Sequence, residues 1–284
     1  MKQLLVFASL MSLVLTHVSC KEKEDTSPEH KVSTPIKEVL VCTDKLPYAV
    51  IELFTSQGCS SCPGADNLVN SISASDTTNT LYIANHVDYW NGPLPGPCGL
   101  TAWVDPYSDA FYTQRQRGLV SKFGSSTLVT PWLQISTQYA TFPGQAERKI
   151  SFTSSDITTR RDELLSRPAS SGLVLRLDTL NQTNHEVRIE FATLDADTSF
   201  DLELILLENN ITTEITAGEN CNKTLKGDHI ARSWTSIPVT KHGFATLSLP
   251  ENAVPENCQV AGFIKDPKNL QVYAATKGFN LLSK

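Results

Sequence analysis

Hydrophobic and polar residues follow two different patterns along the chain, and the pattern changes near "SRPASSG" (166–172). Before this stretch, apolar runs of strand length alternate with segments of helical periodicity. The predicted strands are "YAVIELFT" (48–55), "NTLYIANHVDYW" (79–90) and the segment after Pro131, and the predicted helices are 63–73, 105–124 and 154–168, the last capped by Ser155 or Asp156. Strands that alternate with helices are typical of an α/β layer architecture, which we assign to residues 46–168.

After the change, apolar and polar residues alternate with a period near two. Six segments show this pattern, separated by Asn, Asp, Gly and Pro: 172–180, 184–194, 199–209, 243–250, 258–267 and 270–279. Several short strands joined by such turns are typical of two packed antiparallel sheets. We therefore predict an all-β sandwich domain of immunoglobulin-like type at 172–284.

The N-terminus has the features of an export signal. In residues 1–20, a basic start at Lys2 precedes an apolar stretch that is too short to span a membrane. Cys20 ends this stretch and resembles the lipid-acceptor cysteine of bacterial lipoproteins. Residues 21–45 are charged and carry Pro, Ser and Thr, which predicts a flexible tether. We expect an exported protein, periplasmic or at the cell surface, that is anchored to the outer membrane by a lipid on Cys20 and contacts the membrane through that lipid only.

Composition and charge argue against nucleic acid as a partner. The chain has 284 residues, 40% of them hydrophobic, and a net charge of −6 with its basic residues scattered. Proteins that bind nucleic acid usually cluster their basic residues on one face. We expect no nucleic-acid partner, and no motif indicates a bound cofactor or a dedicated metal site.

The cysteines predict disulfides in an oxidising compartment. Of the seven cysteines, six remain once Cys20 is assigned to the lipid, and an even number favours pairing. Cys59 and Cys62 form a close pair, while the other four permit three connectivities. Proximity along the chain favours two structural disulfides, one joining Cys42 to Cys98 and the other joining Cys221 to Cys258.

The close pair has the spacing of a redox-active dithiol. Cys59 and Cys62 lie between a predicted strand and a predicted helix, with Pro63 in the first helical turn. The unpaired N–H groups at a helix N-terminus stabilise a thiolate and lower its pKa below the usual value of about 8.5. Cys59 would be the nucleophile, and Cys62, one turn further on, would resolve the mixed disulfide.

Four stretches carry a resemblance to a known family: "ELFTSQGCSSCPGAD", "HVDYW", "DPYSDAFYTQRQR" and "VTP", in this order. They resemble an exported thioredoxin-like family catalogued as domain of unknown function 1223, and 218–234 resembles that family's second half. The resemblance implies a thioredoxin fold in which Pro131, preceded by Thr130, is the cis proline that faces the cysteine pair. Glu52 is the candidate for the buried carboxylate of that fold, one residue further upstream than usual. The insertion around Cys98 departs from the family pattern.

Together these features predict a thiol–disulfide oxidoreductase that acts on periplasmic or surface proteins. Its partners would be protein thiols or disulfides and a further redox protein. Two alternatives remain open. In one, the protein is a non-catalytic binding lipoprotein and Cys59–Cys62 is a structural disulfide. In the other, it is a copper(I) chaperone in which His86 joins the two thiolates, although His86 and Asp88 also fit a strand-end pair that hydrogen-bonds the inserted loop.

Overall fold

The structure is a computed structural model that describes residues 38–88, 94–101, 103–122, 124, 126–136, 139–141 and 152–282. The predicted export signal, the lipidation site Cys20 and residues 21–37 of the predicted tether lie outside these residues. The prediction of a tether is wrong for residues 38–45, which pack against the second half of the chain: the Leu40 N–H donates to Glu190 Oε1 at 3.3 Å, and Cys42 is buried. Residues Val39–Lys284 form one compact unit. None of the helices in the described ranges is both long enough and apolar enough to cross a membrane.

The described part of the chain contains three α-helices, one short 3-10 helix (Pro255–Asn257) and fifteen strands. The helices are α1 (Cys62–Ser73), α2 (Ala110–Lys122) and α3 (Ser154–Leu165). The strands are β1 (Ala49–Thr55), β2 (Thr80–His86), β3 (Leu94–Gly96), β4 (Gly99–Thr101), β5 (Trp132–Ile135), β6 (Tyr139–Thr141), β7 (Gly172–Asn181), β8 (Glu186–Leu194), β9 (Asp201–Glu208), β10 (Ile211–Glu214), β11 (Thr224–Gly227), β12 (Ile230–Pro238), β13 (His242–Ser248), β14 (Cys258–Lys265) and β15 (Val272–Asn280).

Strands from both halves of the chain form one mixed sheet. Its order is β15-β14-β9-β12-β2-β1-β5-β6. β1 and β2 are parallel, whereas β5 is antiparallel to β1. The second half joins this sheet at Ile230 of β12, which lies beside Ala84 of β2 in parallel register. The sequence led us to expect a division into two domains near 166–172, and the structure instead continues the sheet from one half into the other.

Two layers cover the faces of this sheet. Helix α2 covers one face, where Tyr112 and Leu119 pack in a core with Phe54 of β1 and Phe263 of β14. On the other face, α1 and α3 pack against β1, β2 and β5. The strands of the second half are covered on that same face by a three-stranded sheet, ordered β13-β8-β7. The protein is therefore a mixed α/β structure with few helices and two packed β-layers in its second half.

Local sequence explains how α1 and α3 begin. Pro63 lies in the first turn of α1, where a missing N–H leaves no hydrogen bond unmade. α3 begins at a capping box: Thr153 Oγ1 accepts the N–H of Asp156, and the Asp156 carboxylate accepts the N–H of Thr153. The N-cap is thus Thr153, and the predicted caps Ser155 and Asp156 are wrong, because both already lie inside the first turn.

Candidate functional site

The cysteine pair lies at the junction of β1 and α1. The connecting loop turns tightly, since the Cys59 N–H donates to Ser56 O at 3.2 Å and the Cys62 N–H donates to Cys59 O at 3.3 Å. Cys62 is the first residue of α1, and its Sγ is bonded to the Sγ of Cys59. The spacing that was read from the sequence therefore produces a disulfide at the start of a helix.

Thr130 and Pro131 lie directly beside this disulfide. The Thr130–Pro131 peptide bond is cis, and the Thr130 carbonyl oxygen is 3.5 Å from Cys59 Sγ. Ser61 Oγ lies 3.3 Å from the same sulfur. All four residues that the sequence singled out for chemistry, Cys59, Cys62, Thr130 and Pro131, are thus brought to one place.

The pair is enclosed by a loop from the second half of the chain. Cys59 is 1% exposed and Cys62 is 0% exposed. Residues 218–222, between β10 and β11, form this cover, which we call the clasp. Asn220 Nδ2 donates to Gln57 O at 2.7 Å and to Cys59 O at 2.9 Å, and the Ser60 N–H donates to Glu219 Oε2 at 2.8 Å. Sequence analysis missed this cover, because nothing in the local pattern of 218–222 indicates what it contacts.

The second disulfide joins Cys98 to Cys221. The predicted pairings Cys42–Cys98 and Cys221–Cys258 are therefore wrong, and both Cys42 and Cys258 are buried free thiols. Proximity along the chain was misleading because the β10–β11 hairpin returns to the first half, where Cys221 meets the β3–β4 hairpin. Burial raises the pKa of Cys258 to about 11 and also raises the pKa of Cys42.

Glu52 does not serve the role expected from the resemblance. Its side chain lies on the face of β1 that α2 covers, next to Val50 and Phe54 of the same core, whereas α1 covers the opposite face. Arg115 of α2 binds it in bidentate geometry, with Nε 2.7 Å from Oε2 and Nη2 2.9 Å from Oε1. This ion pair is buried at both ends. Glu52 is therefore part of the core under α2 and is remote from the helix that carries Cys62.

A different group of ionisable residues lies on the face of the sheet that α1 covers. Asp66, one turn after Cys62, and His86, at the end of β2, both line a cavity of about 300 Å³. Asp66 is half-buried, and its Oδ1 is enclosed with no hydrogen-bond partner. His86 Nδ1 lies 2.8 Å from Asp105 Oδ2, which also accepts the Gln57 N–H at 2.7 Å. Asp105 thus connects His86 to the cysteine loop.

Burial and mutual charge set the protonation of this group. Burial raises the pKa of Asp66 to about 6, against the opposing effect of His86. Burial alone would lower the pKa of His86, but Asp105 and Asp66 outweigh it and raise that pKa. Burial likewise opposes ionisation of Asp105, and His86 lowers its pKa overall. The favoured state is a charged His86–Asp105 pair beside an Asp66 that exchanges its proton near neutral pH.

His86 lies at the end of β2, as predicted. It pairs with Asp105, however, and not with the inserted loop around Cys98 that the sequence suggested. Asp88 donates its N–H to Thr113 Oγ1 at 2.9 Å. Within the described residues, no group of three or more His, Cys, Asp and Glu side chains has the geometry of a metal site. The arrangement thus holds a disulfide at the start of α1, the Thr130 carbonyl beside Cys59, and a carboxyl one helical turn after Cys62.

These features define a class, an α/β protein with an enclosed cysteine pair at the start of a helix. A family model described as "Protein of unknown function (DUF1223)" matches residues 50–265, which is well over half of the chain. The chain belongs to this family. None of the curated proteins and none of the solved structures matches the chain.

Proposed function

We propose that this protein is an exported thiol–disulfide oxidoreductase of thioredoxin-like type. The observation that carries the proposal is the Cys59–Cys62 disulfide at the start of α1, with the carbonyl of Thr130 beside Cys59. The arrangement of the first half supports it: apart from the inserted β3–β4 hairpin, the elements follow in the order β1, α1, β2, α2, β5, β6 and α3, with strand order β2-β1-β5-β6. That order, with parallel β1–β2 and antiparallel β5 and β6, fits a thioredoxin-like unit, and an immunoglobulin-like sandwich remains our interpretation of the second half.

In the reaction, the Cys59 thiolate attacks a disulfide of the client and forms a mixed disulfide, while one client sulfur leaves as a thiolate. Cys62 then attacks the Cys59 sulfur, which releases the second client sulfur and leaves the Cys59–Cys62 disulfide. The Cys62 thiol must lose a proton for this step, and Asp66, one helical turn further along α1 with a pKa that burial raises to about 6, is our candidate for the group that accepts it. In this direction a protein dithiol reduces the pair again after each turnover; when the same steps run in reverse and the client is oxidised, a protein disulfide oxidises the pair again.

A second candidate function is supported by the burial of the pair. Cys59 and Cys62 are almost fully enclosed, which also suits a structural disulfide in a binding lipoprotein. Both functions are consistent with export and with a lipid on Cys20. Replacement of Cys20 by Ser tests the anchor, since the protein should move from the membrane fraction to the soluble fraction.

A glutathione redox titration with thiol trapping and peptide mass spectrometry separates the two functions. A catalytic pair should titrate between about −270 and −120 mV, whereas a structural disulfide typically lies below about −300 mV. We expect the catalytic range for Cys59–Cys62 and, in a turnover assay on a disulfide-containing protein, loss of activity in Cys59→Ser. Cys42→Ala is the matched control, because that thiol lies outside the site. A pair that stays oxidised throughout the titration would refute the oxidoreductase.

A further inference from the structure

The two disulfides differ in their access to solvent. Cys59 and Cys62 are both enclosed, and so is Cys221 at 2% exposure. Cys98 is exposed, at the turn of the β3–β4 hairpin. A reductant in solution therefore meets the Cys98–Cys221 bond from the Cys98 side before it can reach the enclosed pair.

Among the described residues, the clasp is attached by this second disulfide, by its hydrogen bonds to the cysteine loop and by hydrogen bonds at its own ends, where Lys223 Nζ donates to Asn220 Oδ1 at 2.8 Å. At its ends, the Asn222 N–H donates to Ile215 O at 2.8 Å and the Lys223 N–H donates to Asn220 O at 3.0 Å, which closes the β10–β11 connection. Toward the first half it is held by Asn220, by Glu219 and by Cys221. The backbone of Gly96 in the β3–β4 hairpin also lies so close to Gly218 O that a β-carbon at Gly96 would overlap it.

We propose that Cys98–Cys221 is a redox-active switch disulfide whose reduction releases the clasp and gives client proteins access to Cys59–Cys62. This inference rests on the proposed function, since it supplies the access that an enclosed catalytic pair requires. The covalent bond restrains a loop that otherwise covers the pair through three hydrogen bonds from two side chains. Once the bond is broken, the clasp can open as a local fluctuation of the β10–β11 hairpin.

The switching step needs a dithiol reductant. One thiolate of the reductant attacks the Cys98 sulfur, the bond to Cys221 breaks, and Cys221 leaves as a thiolate that takes up a proton. The second thiol of the reductant displaces Cys98, which also becomes a thiol. The protein gains two electrons and two protons, and the reductant leaves as a disulfide.

The order in which the two disulfides are reduced tests the proposal. The full chain is treated with limiting dithiothreitol, alkylated at intervals and analysed by peptide mass spectrometry for each cysteine. We expect Cys98 and Cys221 to be alkylated first, and Cys59 and Cys62 only after a delay. Reduction of Cys59–Cys62 before Cys98–Cys221, or at the same time, would overturn the proposal.

Removal of the Cys98–Cys221 disulfide should expose the Cys59–Cys62 pair. In Cys98→Ser/Cys221→Ser, we expect the Cys59–Cys62 bond to be reduced at least about tenfold faster than in the unmodified chain, because opening of the clasp no longer waits for a covalent step. Asn220→Ala keeps both disulfides and removes two of the three hydrogen bonds. It should therefore shorten the delay between reduction of Cys98–Cys221 and reduction of Cys59–Cys62, which keeps the proposal testable if the double variant fails to fold. Cys42→Ala/Cys258→Ala is the matched control and should leave this delay unchanged. An unchanged delay in the Asn220 variant would refute the role of the clasp.

These rates do not depend on turnover. If Cys59–Cys62 proves too stable to act on client proteins, the redox titration shows this, whereas the order of reduction still reports whether the clasp controls access. A catalytic potential together with simultaneous reduction would retain the oxidoreductase and discard the switch.

Discussion

The pH dependence of stability caused by the Asp66 carboxylate provides the sharpest test of the electrostatics around helix α1. Oδ1 of Asp66 is enclosed without a hydrogen-bond partner, and burial raises the pKa of this residue from 3.8 to about 6. The folded state therefore binds the proton of this carboxyl more tightly than the unfolded state does. The protonated carboxyl therefore stabilises the folded state. This contribution is fully present below pH 3.8 and is lost as the pH rises through about 6.

The magnitude can be worked from this difference. A folded pKa about 2 higher than the unfolded one corresponds to about 3 kcal/mol of destabilisation once the carboxyl is fully ionised. Because Asp66 is only half-buried as a residue, solvent reduces this figure, so about 3 kcal/mol is an upper value. Asp66→Asn keeps the shape of the side chain and removes its charge. We expect this variant to be more stable than the unmodified protein at pH 8 by up to that amount, and almost equally stable at pH 4.

Urea unfolding followed by tryptophan fluorescence at pH 4, 5, 6, 7 and 8 measures the effect. The gain should develop mainly between pH 4 and 7. Glu251→Gln, which changes an exposed carboxylate in the turn after β13, is the matched control and should alter the free energy of unfolding by no more than about 0.5 kcal/mol. A gain for Asp66→Asn that is the same at pH 4 and pH 8, or a loss at pH 8, would show that ionised Asp66 costs the fold nothing.

Two further substitutions test other contacts. Arg115→Met leaves the buried Glu52 carboxylate without its ion-pair partner and should lower the free energy of unfolding by about 3–5 kcal/mol at pH 7 in urea titrations. Addition of Glu52→Gln to this variant should recover part of the loss. An equal loss in the single and the double variant would mean that the charge of Glu52 is not the cause. Gly96→Ala places a β-carbon against Gly218 O, so the β3–β4 hairpin should shift and hydrogen exchange of the clasp amides should become faster, while unchanged exchange would contradict the close approach.

Periodicity predicted most of the elements correctly, because each pattern depends on neighbours along the chain. The alternating segments 172–180 and 258–267 became β7 and β14 with small changes at their ends, and the helix after Cys62 began with Pro63 in its first turn. β12 was missed. Its sequence, "IARSWTSIP", contains mostly polar and small residues, since several of its side chains point toward ion pairs and hydrogen bonds rather than toward an apolar core.

The site was predictable only where its residues are local. The cysteine spacing and the Thr-Pro dipeptide can be read from the chain, and the structure brings them together. The group formed by Asp66, His86 and Asp105 depends on how a helix, a strand end and a loop meet, so no spacing rule identifies it. The Cys98–Cys221 pairing spans 123 residues and follows from the return of the β10–β11 hairpin, which local sequence does not indicate.

The shared sheet has a consequence for any attempt to divide this protein into modules. β2 pairs with β12 on one side and with β1 on the other, and Arg115 lies over the ring of Trp234 at 4.4 Å. A fragment that ended near residue 168 would lose the pairing of Ala84 with Ile230 and would expose apolar side chains of β2 and α2 that the second half buries. An exposed apolar patch next to a strand edge promotes aggregation, so the first half should be expressed and engineered only together with the strands that cover it.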